Sequence, residues 1–570
     1  MPSALSTHRK SVLCRDPVAA ESEQVARVPP DPGACTMPRT DLRRVSRRSG
    51  VSSLSSALIA MAALAGCSGS PADADRTVTV DLAESVACVD PHQAPQTSAL
   101  NVARQLVDSL TDQDPRTGKI VGWIASRWTV NSDATRFVFT LRSGATFSDG
   151  TPVNAAAVVA NLKDITALGA KSPLGISYLA NLRSAVASDS RTVTVEFSKP
   201  SAQFLQATST PTLGLLSPAT LKRSSARRCT RELAGSGPFT LDTTTTADKS
   251  FVLKTRRDYA WPTPLARHTG AARVGGVTFR IVPAAQVRHG NLVSGQADVD
   301  AQVQPQDVDS FTGTKLTLLS QVRPGLVYTF LPNETSAVLS DPAVRVAISR
   351  GIDRSAFAPL LSRAEKPATS LFATSTPQYS DRSAQLSYDR AKATELLDKA
   401  GWVPGGDGIR QRAGRALRVR LVYASTDPYS SVYQLIAQQL RKIGVDLALT
   451  PLDDAANNAR QAGGDYDLVS WAVTRGDPSV LSTVFPVGSA NPLRRTTPGK
   501  LEQSISAVGE TLDTARRQRA ADASVDLILD GGHGIPLFEQ AASVGVADTV
   551  KGIRLDASSR PLFYDAEVGK

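Results

Sequence analysis

The chain has 570 residues, of which 41% are hydrophobic, 5% aromatic and 21% charged, and its formal net charge is +11. This balance is typical of a globular protein with several domains, and it excludes collagen-like, disulfide-dense and multispanning membrane classes. The 64 Lys and Arg residues are spread along the chain and form no block interleaved with aromatic residues. We therefore expect no nucleic acid among the partners.

The first 75 residues predict an export signal followed by a tether. Five arginines between positions 39 and 48 precede a short apolar run at 51–66, a pattern typical of a secretory signal peptide and too short for a membrane-spanning helix. The next residue is a cysteine, and Leu64-Ala65-Gly66-Cys67 resembles a bacterial lipobox. This resemblance implies a signal peptide at 37–66, lipid on Cys67, a tether at 67–75 and anchoring to the outer face of the cell membrane.

Residues 1–36 fit no export signal, because four acidic residues lie there ahead of the basic segment. Met37 would begin a signal peptide of ordinary length. We therefore predict that translation starts at Met37 and that 1–36 is a mis-assigned extension. Residues 46–51 match a twin-arginine pattern only loosely, which leaves the export route open between the general secretory and twin-arginine systems.

The chain has five cysteines, and two of them lie within 1–36. With Cys67 assigned to lipid, Cys88 and Cys229 remain, and exported chains meet an oxidising compartment. We predict a disulfide between these two, with a pair of buried thiols as the alternative. No Cys-x-x-Cys motif and no His-rich cluster occurs in the sequence, so we expect neither a metal nor another cofactor.

Strand and helix patterns alternate along the rest of the chain. Period-2 alternation and helical spacing predict, in chain order, a strand at 77–80, a helix at 99–110, a strand at 137–141, a helix at 154–165, a strand at 192–197, a strand at 417–423, a helix at 431–443 and a strand at 445–449. The last three form a strand–helix–strand unit, which predicts a partly parallel sheet. The fold class is α/β.

Six segments agree in order with one protein family. They are Trp128 with 137–155, Gly235–Leu241 with Arg256–Trp261, Leu292–Asp298, Asp341–Arg354, Tyr388–Trp402, and Gln439–Val445 with Asp465–Trp471. This set resembles the bacterial extracellular solute-binding proteins of family 5, the peptide, oligopeptide and nickel receptors of ABC importers. The resemblance covers nearly all of the chain after the leader.

The resemblance implies a two-lobed fold of the periplasmic-binding-protein type (type II, cluster C) with an extra insert domain in the first lobe. Mapped onto this chain, lobe I takes 76–112, 229–320 and 531–570, the insert takes 113–228, and lobe II takes 321–530. In such receptors the ligand bridges both lobes and stabilises a closed state.

The resemblance also directs attention to the loop after the strand that ends near Trp471. Peptide-binding relatives carry there an Asp that pairs with the α-ammonium of the ligand, and the alignment places Thr474 at that position. Arg475 next to it would favour an anion. An alignment shifted by three residues would let Asp477 serve instead, so both alignments stay open. We take Trp471, Thr474, Arg475 and Asp477 as candidate ligand contacts.

Four further candidates come from elsewhere in the chain. Tyr328, Phe330 and Asn333 lie near the predicted crossing into lobe II, and His92 follows Asp90-Pro91 in the first strand–helix loop. A cleft residue and a packed core residue are both consistent with each position. Because the chain has only five His, a nickel or haem ligand set is not expected.

The implied function is a solute receptor, expected to be a monomer, that delivers a small molecule, such as a peptide, to the permease of an ABC importer. We predict no catalytic residues, since no Gly-x-Ser-x-Gly, His-Glu-x-x-His or P-loop motif occurs. Two alternatives stay open: a secreted hydrolase, and a solute receptor that feeds a sensor instead of a transporter.

Overall fold

A computed structural model describes residues 76–229, 232–242, 250–488 and 491–569. The predicted extension, signal peptide, tether and lipid site at Cys67 lie outside the described residues. No helix of the described part is long and apolar enough to cross a membrane.

Seven strands form the first sheet. The strands at its centre, Gly276–Ile281, Thr77–Leu82 and Val299–Asp300, run parallel, and the others pair antiparallel. Val78, Val80 and Leu82 are fully buried, in agreement with the alternation at 77–80. The strand order is Thr317–Val322, Ala541–Val546, Val299–Asp300, Thr77–Leu82, Gly276–Ile281, Ser250–Thr255 and Phe239–Leu241.

Six strands form the second sheet. Arg418–Ala424 runs parallel to both Asp446–Leu452 and Leu468–Thr474, and helix Ser430–Arg441 connects the first two, which confirms the predicted strand–helix–strand unit. The sheet is covered on both faces, since Leu421 packs into one apolar cluster and Val422 into another. The order is Lys366–Pro367, Ile535–Glu539, Gly325–Pro332, Leu468–Thr474, Arg418–Ala424 and Asp446–Leu452.

A four-stranded antiparallel sheet and several short ribbons complete the strands. The four-stranded sheet has the order Ala125–Val130, Arg136–Leu141, Thr192–Phe197 and Leu182–Ala187. The ribbons are Thr111–Gln113 with Ile120–Gly122, Val403–Pro404 with Arg410–Arg412 and Arg415–Ala416, Val550–Lys551 with Glu567–Val568, and Arg554–Leu555 with Pro561–Leu562.

Helices surround these sheets. The α-helices of the described residues are Thr97–Leu106, Ala155–Leu168, Pro173–Tyr178, Phe204–Ala207, Pro218–Leu221, Ser225–Cys229, Ala285–Val293, Pro342–Arg350, Arg390–Lys399, Ser430–Arg441, Asp454–Gly463, Leu481–Val484, Lys500–Val508 and Thr514–Asp530. Short 3₁₀ helices occupy Gly169–Lys171, Pro211–Leu213, Pro305–Phe311, Arg354–Leu360 and Pro478–Val480.

The helix predicted at 99–110 ends earlier, at Leu106. The backbone after Leu106 is extended because Asp108 is drawn into the core, where its carboxylate accepts hydrogen bonds from the Tyr259 hydroxyl at 3.0 Å and the Trp261 indole N–H at 2.9 Å. These partners lie more than 150 positions away in the sequence, so helical spacing alone could not reveal them.

Two short crossings join the first sheet to the second. The first crossing is Arg323-Pro324, between strands Thr317–Val322 and Gly325–Pro332, and the second crossing is Gln540, between strands Ile535–Glu539 and Ala541–Val546. The backbone N–H of Arg323 donates to the carbonyl of Gln540 at 2.9 Å, so the two crossings lie side by side.

The sheet pairing bears on the predicted lobe boundaries, which stay a prediction. Strand Thr317–Val322 belongs to the first sheet and Gly325–Pro332 to the second, close to the predicted change at 320–321. Strand Ile535–Glu539, however, pairs in the second sheet, although the predicted boundary at 531 places it in lobe I. A boundary at the second crossing follows the hydrogen bonding better than one at 531.

The predicted disulfide between Cys88 and Cys229 is confirmed. It ties the loop after the first strand to the end of helix Ser225–Cys229, 141 positions away. Beside it lies the buried Arg228, whose guanidinium is 3.2 Å from the carboxylate of Asp90 and 2.8 Å from that of Asp164. The disulfide therefore holds together a segment that also contains a buried group of charges.

Candidate functional site

A cavity of about 300 Å³ lies where the two sheets meet; we call it the inter-sheet cavity. Residues 302–305, after strand Val299–Asp300, line one side, and residues 424–429, at the end of strand Arg418–Ala424, line the other. Both crossings contribute, through Arg323 and Gln540. In open α/β sheets, ligands bind outside the carboxyl ends of parallel strands, which is where this cavity lies.

Tyrosine hydroxyls surround the first carboxylate of the cavity, that of Asp427. It accepts hydrogen bonds from the hydroxyls of Tyr328 and of Tyr433, the latter at 2.7 Å, and from the backbone N–H of Tyr429 at 2.9 Å. Burial, together with the Asp427 charge, raises the pKa of Tyr328 well above its usual value, so the hydroxyl stays protonated and donates. The Asp427 charge is therefore stabilised within the protein.

The second carboxylate, Glu365, is also supplied with donors. It accepts from the Tyr429 hydroxyl at 2.5 Å and from both the backbone N–H and the hydroxyl of Ser362 at 3.1 Å. Burial outweighs these hydrogen bonds and raises the pKa of Glu365. Neither carboxylate of the cavity forms an ion pair with Arg323.

Arg323 is a cation without a side-chain partner among the described residues. Its backbone is anchored to the second crossing, but its guanidinium, which lines the cavity, makes no hydrogen bond or salt bridge there. Burial is the main cause that lowers the pKa of Arg323, and Arg560 lowers it further, against the opposing effects of Tyr429, Glu84 and Glu365. A partly desolvated charge without a counter-ion is costly unless a bound molecule supplies one.

A second cavity, of about 940 Å³, lies between residues 173–203 and residues 475–510. Arg475, which lines it, is 4% exposed. Its guanidinium carbon is 4.7 Å from the centre of the Tyr178 ring, and its N–H groups donate to Gln203 at 3.4 Å and Ser177 at 3.3 Å. The candidate Arg475 is thus placed beside this second cavity and already stacked on an aromatic ring.

Trp471 and Thr474 lie on strand Leu468–Thr474 of the second sheet. Thr474 ends the strand, is half-buried and pairs with Gly325, directly after the first crossing. The Trp471 indole N–H donates to Gln461 at 2.9 Å, and the ring packs against an apolar cluster. Thr474 therefore lies beside the first crossing, which lines the inter-sheet cavity. Trp471 is held instead by Gln461 on helix Asp454–Gly463 and by the apolar cluster.

Asp477 forms a buried ion pair with Arg517, with 2.6 Å between carboxylate oxygen and guanidinium nitrogen. The same carboxylate accepts from the backbone N–H of Ser479 and so caps the 3₁₀ helix that follows. Burial would raise the pKa of Asp477, but Arg517 and Ser479 lower it below its usual value. Both interactions are internal to the protein.

The remaining candidates have internal partners too. Tyr328 lines the inter-sheet cavity, whereas Phe330 is fully buried in the core. The Asn333 amide donates to the carbonyls of Gly464 and Tyr466, both at 3.1 Å. The two ring nitrogens of His92 lie 2.9 Å from Asp164 and from the carbonyl of Gly214, which leaves neither free for a ligand. Ligand contact by any candidate stays a prediction.

No group of three or more His, Cys, Asp or Glu side chains is placed to hold a metal ion within the described ranges.

Comparison with known families gives a match over most of the chain. The model of the bacterial extracellular solute-binding proteins, family 5 (middle part), matches residues 119–492. The chain belongs to this family. The matched residues include the first crossing, the Asp427 carboxylate and the whole strand–helix–strand unit of the second sheet. Family 5 proteins are extracellular, and the recognition made from the six sequence segments is confirmed.

Curated relatives match this family 5 protein at low identity and high coverage. It is 24% identical to the glutathione-binding protein GsiB of Escherichia coli K12 over 541 residues, which cover 92% of this chain and 100% of the relative. It is 25% identical over 379 residues to the nickel-binding periplasmic protein of the same strain, covering 64% of this chain and 70% of the relative.

Solved structures confirm the two-lobed α/β fold of the family 5 protein. NikA from Brucella suis, in complex with Fe(III)-EDTA, superposes with a TM-score of 0.75 at 23% identity and covers 87% of this chain and 100% of its own. A dipeptide-binding protein from Pseudoalteromonas sp. SM9913, in complex with Met-Leu, superposes with a TM-score of 0.72 at 18% identity, with coverage of 86% and 100%.

Sequence reasoning missed four side chains that line the cavity of this family 5 protein: Arg323, Glu365, Asp427 and Tyr429. One signal could have found two of them. Asp427 and Tyr429 directly follow strand Arg418–Ala424, whose carboxyl end faces the cleft. Arg323 carried a weaker signal, because it stands only two residues before the apolar strand Gly325–Pro332, where the chain enters the core.

Proposed function

We propose that this family 5 protein is a non-enzymatic receptor that captures a small polar solute in the inter-sheet cavity and delivers it to the permease of an ABC importer. The observation that supports it is the cavity itself, which lies at the carboxyl ends of strands from both sheets and touches both crossings. A ligand bound there would contact both lobes and the hinge between them. Binding energy could then stabilise the closed state.

The volume and the polarity of the cavity indicate the size of the solute. About 300 Å³ lies at the lower end of the range for small-molecule sites. Its lining includes Gln302, Gln304, Thr426 and Gln540 as uncharged polar groups. One relative is named as a glutathione-binding protein, and one similar structure is a dipeptide-binding protein in complex with Met-Leu. Short peptides are therefore the first solutes to test.

Native mass spectrometry of the protein purified from its own host tests the proposal. We expect a retained small molecule, a fall in the radius of gyration when that molecule is added back to stripped protein, and no conversion of it. Replacing Gln302 and Gln304 together by Ala should weaken binding, while Gln411→Ala, on an exposed hairpin outside the cavity, should not. Turnover of the retained molecule would favour the hydrolase alternative.

A permease partner can be tested separately from ligand binding. We expect the ligand-loaded protein, and not the stripped protein, to stimulate ATP hydrolysis by a cognate importer in membrane vesicles. Stimulation of a sensor kinase in place of an importer would support the alternative in which the receptor feeds a sensor.

We also propose that Cys67 carries lipid and holds the receptor at the cell membrane. Support comes from the lipobox-like residues Leu64–Cys67 in the sequence and from the extracellular location of the family. Metabolic labelling with a palmitate analogue should mark the wild-type protein, and Cys67→Ala should lose the label. A labelled Cys67→Ala protein would contradict the assignment.

A further inference from the structure

The charges of the inter-sheet cavity are not balanced by one another. Asp427 and Glu365 each receive two or more hydrogen bonds from neighbouring hydroxyl and backbone donors. Arg323 has no such partner among the described residues, although it lines the same cavity. The group of the cavity that lacks hydrogen-bond partners is therefore a guanidinium, and a ligand that completes the site must supply acceptor oxygens.

We propose that Arg323 determines the specificity of the receptor by binding a carboxylate of the solute. This inference rests on the proposed function, because it concerns the ligand of the same cavity. A guanidinium presents a planar fork of N–H donors that matches a carboxylate in a bidentate arrangement. Gln302 and Gln304 line the same cavity and offer amide groups to the uncharged polar part of the solute.

A carboxylate would be a stronger partner for the Arg323 guanidinium than a neutral acceptor. Arg560 lies close enough to lower the pKa of Arg323, so a second positive charge acts on the same region. Tyr429, Glu84 and Glu365 act in the opposite direction, but the Glu365 oxygens already accept from Tyr429 and Ser362. A carboxylate beside Arg323 would gain a charge-assisted pair in a partly dry site, where such pairs are stronger than in water.

The position of Arg323 also couples the ligand to the hinge. Its side chain lines the cavity, while its backbone forms the first crossing and donates to the second crossing at Gln540. A carboxylate held by Arg323 would therefore sit at the floor of the cleft, against the segments that must bend when the lobes close.

The first test needs no knowledge of the solute. We expect Arg323→Met to raise the melting temperature of the stripped protein, because it removes a desolvated charge that lacks a partner. The matched control is Arg354→Met. Burial also lowers the pKa of Arg354, to about 9, but its guanidinium donates to the carbonyls of Pro536 and Leu386, so its loss should lower the melting temperature. An unchanged or lowered melting temperature in Arg323→Met would overturn the proposal.

The second test uses matched pairs of probes: Met-Leu and its C-terminal amide, and glutathione and its diethyl ester. Where calorimetry detects binding, the free carboxylate form should bind at least about thirtyfold more tightly than the matching amide or ester. Arg323→Met should abolish that preference. Equal binding of acid and neutral forms, or an unchanged preference in Arg323→Met, would overturn the role of Arg323 and leave the receptor function intact. Failure of the receptor function itself would show as turnover or as no retained solute.

Discussion

Individual charged residues of this protein are distinguished by whether the fold supplies their partner. Asp477 and Arg323 illustrate the two cases. Asp477 is paired with Arg517 in the core, whereas the guanidinium of Arg323 has no partner in the described part of the chain. Asp477 has its partner in the fold, whereas the proposed role of Arg323 requires a ligand to supply one, so the two residues should respond differently to substitution.

Removing Asp477 should destabilise the protein. Asp477→Ala leaves Arg517 buried without its counter-ion, and such a loss typically costs about 3–5 kcal/mol in the free energy of unfolding. Chemical denaturation measures it. The control is Asp446→Asn in the exposed pair with Arg418, which should cost less than about 1 kcal/mol. Loss of solute binding by Asp477→Ala without loss of stability would instead support the shifted alignment.

The same ion pair predicts an acid-labile contribution to stability. The pKa of Asp477 is lower in the folded protein than in the unfolded chain, so its contribution is fully present above the unfolded value of about 3.9. It is lost as the pH falls through the lower, folded value. We expect the free energy of unfolding to fall below about pH 4, and to fall less steeply in Asp477→Asn. Equal acid dependence of the two proteins would contradict this prediction.

Thr474 offers a test of peptide recognition. Because it ends its strand beside the first crossing, a carboxylate there could pair with a ligand ammonium. We expect Thr474→Asp to bind Met-Leu roughly tenfold more tightly, since a hydrogen bond to a charged group contributes about 1.5–3 kcal/mol. Thr474→Asn, without the charge, is the control, and calorimetry is the measurement. Equal affinities of the two variants would argue against an ammonium at this position.

At the scale of elements, the strand that starts at Gly325 depends on a glycine. Its φ is +115°, and an added Cβ would lie 2.1 Å from the carbonyl oxygen of Val473 on the paired strand. Only glycine accepts both the dihedral angle and the close approach. The first crossing therefore enters the second sheet through a point that tolerates no side chain.

Gly325→Ala should therefore destabilise the protein more than replacement of a glycine at which alanine strains the backbone but meets no neighbouring atom. Gly144→Ala is the control, because Gly144 has a φ of +84° but no atom within 4 Å of the added Cβ. We expect about 1–3 kcal/mol for Gly144→Ala from backbone strain, and a larger loss for Gly325→Ala, by denaturant titration. Equal losses would show that the strands can separate without cost at this point.

At the scale of the whole molecule, the disulfide constrains a long segment. It closes a loop of 141 positions that includes the entire four-stranded sheet. In the chain-entropy model such a loop contributes up to about 5 kcal/mol. It also lies next to the buried charges of Arg228, Asp90 and Asp164, which lose their positioning if the segment loosens.

We expect reductant to lower the free energy of unfolding of the wild-type protein by several kcal/mol. The double variant Cys88→Ser with Cys229→Ser should start at the lower value and show no effect of reductant. Denaturant titration measures both, and alkylation without reductant should find neither thiol free. Two reactive thiols in the exported wild-type protein would contradict the bond.

The sequence by itself determined the α/β class, the strand–helix–strand unit, the family and the disulfide pair. Periodicity and turn residues are local, six ordered segments identify a family, and removal of the leader cysteines left one pair. Only the tertiary structure decided the early end of the helix at Leu106, the Arg517 partner of Asp477 and the absence of a partner for the Arg323 guanidinium among the described residues. The pairing of a buried charge depends on residues that are far away in the chain, and no local pattern records that distance.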